Sequence, residues 1–397
     1  MTLAHDAPAA APTTLDAIDT PAALIDVTRM QRNIERMQQR ARALGVALRP
    51  HVKTAKCLPV AQAQQAAGAR GITVSTLHEA AYFHAQGFDD ILYAVGVVPA
   101  KLPQVMKLRR AGCALKVIID SAAAARALVD FGRAEDATLD VWIEVDTDGH
   151  RSGLAPDAAE LLEAAHLLQA GGMTVGGVMT HAGSSYALND AAALAALAEQ
   201  ERAGCVLAAQ RIRADGQPCP VVSVGSTPTA LSARQLDGVT ELRAGVYAFF
   251  DLVMHNVGVA RLDELALSVL TSVIGHQPAK GWAIVDAGWM AMSRDRGTAS
   301  QARDFRYGQV CDLDGRPLPG VLLVDANQEH GIIAVRAADN TDAAGEAGAA
   351  SIVQRFPLGT RLRILPNHAC ATGAQFPAYH PLQGRSVGTA WPRLHGW

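Results

Sequence analysis

Residues 115–146 read LKVIIDSAAAARALVDFGRAEDATLDVWIEVD and alternate two kinds of segment. Residues 115–120 and 139–146 are short runs of β-branched and other apolar residues, which are typical of buried strands. Between them, residues 122–131 place apolar side chains at helical spacing. A strand–helix–strand unit of this length predicts two parallel strands joined by a helix.

The same alternation repeats through the first two thirds of the chain. Eight strand–helix units in roughly 230 residues favour a (β/α)8 barrel of the TIM type, and therefore an α/β fold. An open, doubly wound sheet is the alternative. The eight predicted strands are residues 47–51, 71–76, 91–95, 115–120, 139–146, 175–181, 220–225 and 240–249.

The pattern changes after about residue 265. Turn signals such as Asp314-Gly315 separate short apolar runs, and long helical patterns are absent, which predicts a mostly antiparallel β domain. We therefore expect a flexible arm over residues 1–20, a barrel over 21–264 and a β domain over 265–397. Residues 339–351 are rich in Ala, Gly, Asp and Glu and predict a solvated surface loop. The predicted strands of the β domain are residues 265–275, 281–286, 321–323, 331–335 and 361–365.

Composition excludes several classes of protein. The 397 residues are 49% hydrophobic and 18% charged, which is too apolar for a disordered chain. The net charge of −3 gives no reason to expect binding to nucleic acid or to an anionic membrane. No signal peptide, transit peptide or membrane helix is predicted, and six scattered cysteines without a CxxC pair favour free thiols in a reducing cytoplasm.

Lysine is scarce, and this scarcity limits where amine chemistry can occur. Active sites of such barrels lie at the carboxyl ends of the strands, and only Lys53 and Lys56 follow such an end. A partly desolvated lysine there can lose its proton and attack a carbonyl, although a solvated loop lysine is the simpler interpretation. The six lysines are Lys53, Lys56, Lys101, Lys107, Lys116 and Lys280.

A second group of candidates follows the seventh predicted strand. Gly225, Ser226 and Thr227 form a turn whose N–H groups and hydroxyls can hold a phosphate, and phosphate sites in this part of a barrel are common. Alone, such a turn is ordinary. Combined with a lysine after the first strand, it suggests pyridoxal phosphate, with the lysine bonded to the aldehyde and the turn at the phosphate.

Two further groups lie in the predicted β domain. In an extended segment His368 and Cys370 would point to the same side, and imidazole with thiolate suits zinc. Two ligands leave an open site, which suits catalysis better than structure, but a buried thiol beside a structural histidine is the alternative. Residues 325–330 (DANQEH) offer a carboxylate and an imidazole, for which a solvated turn is favoured.

These segments resemble the D-serine dehydratase/D-threonine aldolase family, whose members are fold-type III pyridoxal phosphate enzymes built like alanine racemase. The resemblance extends from about residue 20 to the end of the chain. The motifs that carry it are PHVKTAK at 50–56, DTDGHRSG at 146–153, THAGSSY at 180–186, SVGSTPT at 223–229, ELRAGVYAFFD at 241–251, DAGWMAMSRDRG at 286–297, NQEHG at 327–331 and LPNHACAT at 365–372.

The resemblance implies a role for each matched residue. Lys53 would hold pyridoxal 5'-phosphate as a Schiff base and, once freed, would take the Cα proton of the substrate. His368 and Cys370 would bind a divalent metal, zinc above all, that assists departure of the β-hydroxyl. The other implied cofactor-binding positions are Arg151 near the pyridine nitrogen, Tyr186 beside the cofactor, Gly225, Ser226 and Thr227 at the phosphate, and Gly245 and Tyr247 in support.

The implied reaction is elimination of water from a small D-3-hydroxy amino acid, followed by hydrolysis to a keto acid and ammonia. D-threo-3-Hydroxyaspartate would give oxaloacetate and D-serine would give pyruvate. Cys370 favours this dehydratase branch, because family aldolases commonly have aspartate there. An aldolase that releases glycine and an aldehyde is the main alternative, followed by a racemase and a non-catalytic cofactor carrier. Ala55 departs from the family, since many members have histidine at that position. The resemblance also implies a homodimer.

Overall fold

Two separate sheets organise the chain in the computed structural model, which describes residues 14–335 and 352–397. The strands are β1 (Ala22–Asp26), β2 (Ala47–Pro50), β3 (Ile72–Val74), β4 (Asp90–Gly96), β5 (Ala114–Ile119), β6 (Asp140–Glu144), β7 (Thr174–Met179), β8 (Val221–Val224), β9 (Glu241–Ala244), β10 (Leu267–Gln277), β11 (Trp282–Val285), β12 (Gly308–Cys311), β13 (Pro317–Ala326), β14 (Gly331–Val335), β15 (Arg361–Pro366), β16 (Ala378–Gln383), β17 (Ser386–Val387) and β18 (Trp391–Pro392).

Helices alternate with the strands in the first sheet and are short elsewhere. They are α1 (Val27–Ala43), α2 (Leu58–Ala66), α3 (Leu77–Ala85), α4 (Leu102–Arg110), α5 (Ala122–Glu135), α6 (Ala159–Ala170), α7 (Ala191–Ala214), α8 (Thr227–Ser232), α9 (Leu252–Val257), α10 (Trp289–Met292) and α11 (Ala369–Gly373). A further helical turn covers residues 352–355. Within the described ranges, no helix has the length and apolar character that crossing a membrane requires.

The first sheet confirms the predicted (β/α)8 barrel. Its eight strands are parallel in the order β2-β9-β8-β7-β6-β5-β4-β3, and a parallel bridge between His51 and Thr73 joins its two ends. An open sheet is thereby excluded. We call this unit the barrel domain; it comprises residues 32–248, 256–259 and 394–397.

Apolar and ionic layers both fill the barrel domain. Leu92, Ile118, Trp142 and Met179 contribute one buried side chain from each of four successive strands. An ionic group links β2 to its neighbour β9 and also to β4, because Arg49 pairs with Glu241 at 2.7 Å and with Asp90 at 2.9 Å. Arg49 and Glu241 are buried, whereas Asp90 is half-buried. Removing one member of the buried Arg49–Glu241 pair typically costs about 3–5 kcal/mol, because the other charge loses its compensation.

The second sheet has ten strands and forms the β domain, which comprises residues 14–31, 249–255, 260–335 and 352–393. Its order is β11-β14-β13-β12-β15-β10-β1-β16-β17, with β18 on β16. Strand β11 also pairs with β10, so six strands form a closed ring. All pairings are antiparallel except β1 with β16, as the sequence predicts for a mostly antiparallel domain.

The predicted boundaries need correction at the start of the chain. Residues 1–13 lie outside the described residues, but Leu15 and Ile18 are buried in an apolar cluster of the β domain, so residues 14–20 are not a free arm. Strand β1 belongs to the β domain and not to a barrel beginning at residue 21, because it pairs with β10 and β16. The predicted loop at 339–351 also lies outside the described residues.

Other differences concern single strands. The eighth barrel strand ends at Ala244 and not at residue 249, since residues 246–248 form a 3-10 turn and Phe250 has a φ of +48°. In the β domain, the sequence pattern missed β1, β12, β16, β17 and β18. Asp325 and Ala326 end β13, and residues 327–330 form the exposed turn to β14, where a turn was favoured from the sequence. The Asn327 N–H donates to the His330 carbonyl at 2.8 Å.

Candidate active site

The barrel candidates all follow the carboxyl ends of parallel strands. Lys53 follows β2, Arg151 follows β6, Tyr186 follows β7, Thr227 follows β8 and Gly245 follows β9. Because the carboxyl ends of parallel barrel strands meet at one rim, the topology gathers these residues at the same end of the barrel. The barrel therefore brings together the cofactor-binding positions that the sequence predicts.

Two lysines follow β2, and their surroundings differ. The Nζ of Lys56 lies 3.0 Å from Oε1 of Glu79, whose side chain is completely buried. Lys53 is exposed, and among the described residues no carboxylate forms an ion pair with its amine. A lysine that compensates a buried carboxylate is unavailable for covalent chemistry, so this contrast favours Lys53.

The phosphate candidates have distinct surroundings. Gly225 has a φ of +130°, and a Cβ there would stand 2.3 Å from the carbonyl oxygen of Arg243. The neighbouring strand therefore requires glycine at this position, whatever binds nearby. Ser226 caps α8, because its Oγ accepts from the Thr229 N–H at 3.2 Å while its own N–H donates to Thr229 Oγ1 at 2.9 Å.

Thr227 supplies the observation that fits a bound phosphate. Its side chain is 1% exposed, and its hydroxyl has no hydrogen-bond partner among the described residues. A buried hydroxyl without a partner normally costs stability, so such groups are uncommon unless a ligand completes them. The residues present at this turn therefore fit the phosphate of pyridoxal phosphate.

Tyr247 and Tyr186 occupy different environments. The Tyr247 hydroxyl is buried and accepts from Nε2 of Gln64 at 2.9 Å, and burial raises its pKa, so the phenol keeps a proton to donate. Tyr186 is half-buried, and its ring centroid lies 6.2 Å from that of His181. At Gly245, a Cβ would stand 3.2 Å from the His51 carbonyl oxygen, so the chain segments approach closely there.

Arg151 has a carboxylate partner. Its Nη2 lies 3.4 Å from Oε1 of Glu144, and the hydroxyl of Ser152 donates to the other carboxylate oxygen at 3.1 Å. Burial raises the pKa of Glu144 against the opposing effect of Arg151. The role of Arg151 beside a pyridine nitrogen stays a prediction.

Sequence reasoning missed Glu201, a buried carboxylate on α7. Its Oε1 accepts from the N–H of Ala182 at 2.9 Å and from the N–H of Gly225 at 3.1 Å. One side chain thus links the segments that follow β7 and β8. The Gly225 N–H is consequently already satisfied, which leaves the Thr227 hydroxyl as the better phosphate donor.

Two histidines near Lys53, His51 and His181, are neutral. His181 Nδ1 lies 3.1 Å from the Gly225 carbonyl oxygen, so this nitrogen carries the proton. Burial, followed by the positive charge of Lys53, lowers the pKa of His181 to about 4. The same two causes lower the pKa of His51. Both imidazoles are therefore neutral at pH 7.

The predicted metal ligands lie in the β domain, after β15. His368 is extended, but Cys370 is inside the short helix α11, so the two do not alternate along a strand as expected. They are nevertheless in contact, and hydrogen bonds to Asp295 and Cys370 outweigh burial and raise the pKa of His368. Among the described residues no cluster of three or more His, Cys, Asp or Glu could hold a metal ion. An imidazole and a thiol fit zinc as an open, two-ligand site.

Residues 25–253 match the alanine racemase N-terminal domain family, and residues 266–382 match the putative serine dehydratase domain. The chain belongs to the alanine racemase N-terminal domain family. The first match covers most of the barrel and the second most of the β domain, so the family resemblance predicted from the motifs is confirmed.

Three relatives of this family member illustrate its relationships. The D-threo-3-hydroxyaspartate dehydratase of Delftia sp. (strain HT23) is 66% identical over 97% of this chain and 99% of its own length. The D-threonine aldolase of Arthrobacter sp. is 31% identical, over 90% of this chain and 87% of its own. A solved structure of a cysteine-to-alanine mutant of D-threo-3-hydroxyaspartate dehydratase in the metal-free form is 64% identical, with a TM-score of 0.93 over 97% of this chain and 100% of its own.

Proposed function

We propose that the chain is a pyridoxal phosphate-dependent dehydratase that converts D-threo-3-hydroxyaspartate to oxaloacetate and ammonia. The observation that carries this proposal is the 66% identity to a dehydratase of that name along nearly the whole of both chains. D-Serine is a second proposed substrate, and it would give pyruvate and ammonia. In either reaction one water leaves the substrate and one water hydrolyses the resulting imine.

In this proposal the barrel residues bind the cofactor and move protons. The bound pyridoxal phosphate would accept the electrons left behind when the Cα proton departs. Lys53 would hold the cofactor and take that proton, supported by the absence of a carboxylate partner for its amine among the described residues. Thr227 would donate to the phosphate, with Gly225, Ser226, Gly245 and Tyr247 shaping the site.

The neutral histidines support the proton chemistry of Lys53. A protonated imidazole near the lysine would repel a second positive charge, whereas His51 and His181 stay neutral at pH 7. Arg151 would lie near the pyridine nitrogen and Tyr186 beside the ring, as the family resemblance implies.

We propose zinc as the metal of the β domain, held by His368 and Cys370. A thiolate ligand favours zinc over magnesium, and a two-ligand site leaves positions for water or substrate. A metal in this open site would act as a Lewis acid on the β-hydroxyl of the substrate. The metal-free form of a cysteine mutant of the related dehydratase supports a metal in this branch.

Assembly and location belong to the same proposal. We propose a homodimer, which the molar mass in solution measured by light scattering tests against the 41.7 kDa chain. A reducing compartment is supported by the six free cysteines of the chain, five buried and Cys370 half-buried. Cell fractionation with an antibody to the protein tests the proposed cytoplasmic location.

Product analysis tests the reaction. The purified protein would be given D-threo-3-hydroxyaspartate, D-serine and D-threonine, and ammonia, keto acids, glycine and aldehydes would be measured. We expect equal amounts of ammonia and oxaloacetate from the first substrate. Glycine and an aldehyde as the main products would replace the dehydratase with an aldolase.

The lysine assignment is tested in the same assay. The Lys53→Ala variant should lose activity by several orders of magnitude and lack the visible absorbance of lysine-bound cofactor. Lys107, exposed on α4, supplies the matched control, and Lys107→Ala should behave like wild type. Full absorbance in the Lys53→Ala protein would contradict the assignment.

A further inference from the structure

A carboxylate holds the imidazole of His368. Oδ2 of Asp295 lies 2.6 Å from Nδ1 of His368, which is a short, charge-assisted hydrogen-bond distance. The other carboxylate oxygen, Oδ1, accepts from the N–H of Gly297 at 2.8 Å. The two interactions fix the carboxylate, so it meets the ring in one orientation.

The segment that carries Asp295 is itself anchored beside His368. Asn367 is buried, and its amide donates to the carbonyl of Asp295 at 3.3 Å and to that of Arg306 at 2.6 Å. Its carbonyl oxygen accepts from the Thr298 hydroxyl at 3.0 Å. The residue before His368 thus binds the loop that contains Asp295 at three points.

A second carboxylate nearby has a different task. Asp251 is buried, and its two oxygens accept from the N–H groups of Met254 and Ala369, each at 2.9 Å. Its hydrogen bonds are therefore used to hold the starts of α9 and α11. Asp295 is the carboxylate whose hydrogen bond reaches the imidazole.

We propose that Asp295 is a positioning residue for the metal ligand His368, an inference that rests on the proposed metal site. By accepting the Nδ1 proton, Asp295 selects the tautomer in which Nε2 carries the lone pair, and it increases the basicity of that nitrogen. Histidine ligands of metals usually donate their other N–H in this way, and losing the partner typically weakens metal binding about 10–100-fold.

Zinc affinity provides the test, measured by competition with a chromogenic chelator on the cofactor-loaded protein. Asp295→Asn should bind zinc about 10–100-fold more weakly than wild type, because an amide cannot accept from both His368 and Gly297 as the carboxylate does. The visible absorbance of the cofactor should be unchanged. Asp304→Asn is the matched control, because Asp304 lies in the same loop but pairs with Arg296.

Two comparisons make the result decisive. Asp295→Glu, which keeps a carboxylate, should recover part of the affinity, and it replaces the asparagine variant if that protein does not fold. Zinc affinity equal to wild type in Asp295→Asn, with His368→Ala clearly weaker, would overturn this inference alone. If wild type binds zinc no more tightly than His368→Ala, the proposed metal site itself fails.

Discussion

Neighbouring residues in the barrel differ in role, because some are needed for the fold and others are candidates for binding a ligand. Gly225 is required by the backbone of the next strand, and Ser226 is engaged in capping α8. Thr227 differs, because its buried hydroxyl has no hydrogen-bond partner among the described residues. The three residues are consecutive in sequence and look equally suited to a phosphate, but their surroundings make the third the best candidate for the proposed phosphate contact.

Replacing Thr227 with valine should therefore lower the affinity for the cofactor without lowering the stability of the cofactor-free protein. Cofactor affinity should fall roughly 10–100-fold, since a hydrogen bond to a charged group contributes about 1.5–3 kcal/mol. The cofactor-free protein should be as stable as wild type or more stable, because an unsatisfied buried hydroxyl is removed. Cofactor titration and urea unfolding measure the two quantities.

Thr229→Val supplies the contrasting control. The Thr229 hydroxyl bonds to Ser226, so this variant should lose stability even without the cofactor. Loss of stability in Thr227→Val with unchanged cofactor affinity would contradict the assignment.

At the scale of elements, the long helix α7 joins two strand ends through one side chain. Glu201 accepts from backbone N–H groups after β7 and β8, and both bonds use the same carboxylate oxygen. Truncation would leave two buried N–H groups without partners, at about 1–3 kcal/mol each.

We expect Glu201→Ala to lower the free energy of unfolding by about 2–6 kcal/mol. Glu201→Gln should cost clearly less, because its amide oxygen can accept both hydrogen bonds. Urea unfolding followed by circular dichroism measures the difference. Equal losses in the two variants would show that the charge of Glu201, and not its hydrogen bonds, stabilises these segments.

The elements also show what the sequence could predict. The eight barrel strands were predicted in the correct order, because strands buried on both faces are short apolar runs separated by amphipathic helices. The partner of β1 could not be predicted, since its five residues pair with strands about 240 and 360 positions away. Such pairing depends on long-range contacts that leave no local pattern.

Among the site residues, too, those marked by a local sequence pattern could be predicted and those that depend on long-range contacts could not. Lys53 and the turn at 225–227 follow β2 and β8, as the sequence predicted, while their cofactor roles stay predictions. Glu201 and Asp295 were missed because each acts on a residue distant in sequence or through the folded loop. The predicted extended geometry of His368 and Cys370 was wrong, because Asp251, 118 positions earlier, accepts from the Ala369 N–H at the start of α11.

At the scale of the whole molecule, the two domains differ in helix content. A helix signal can therefore follow the unfolding of one domain. Helices α2–α7, each with nine or more residues, belong to the barrel domain, and most of the 17-residue α1 lies there too. Helices α9–α11 have at most six residues. The circular dichroism signal at 222 nm therefore reports mainly on the barrel. His51 and His181, both half-buried, lie in that domain.

The pKa of His181 makes barrel stability depend on pH. Its folded-state pKa of about 4 is below the ordinary value of 6.5, so the unfolded chain binds the proton first as pH falls. The stabilisation is complete above pH 6.5 and is lost as pH falls towards 4. Between pH 7 and pH 5 the loss from His181 alone is roughly 2 kcal/mol.

Buried carboxyls oppose this trend, so the histidine must be isolated by comparing variants. Burial raises the pKa of Glu144 and Glu201, and such groups add stability as pH falls. We therefore expect the change in unfolding free energy between pH 7 and pH 5 to be less unfavourable in His181→Gln than in wild type, for the cofactor-free protein. Urea unfolding at 222 nm at both pH values gives this difference. Parallel pH dependence in the two proteins would mean that folding does not lower the pKa of His181. The folded barrel would then carry a protonated His181 near Lys53 at pH 5.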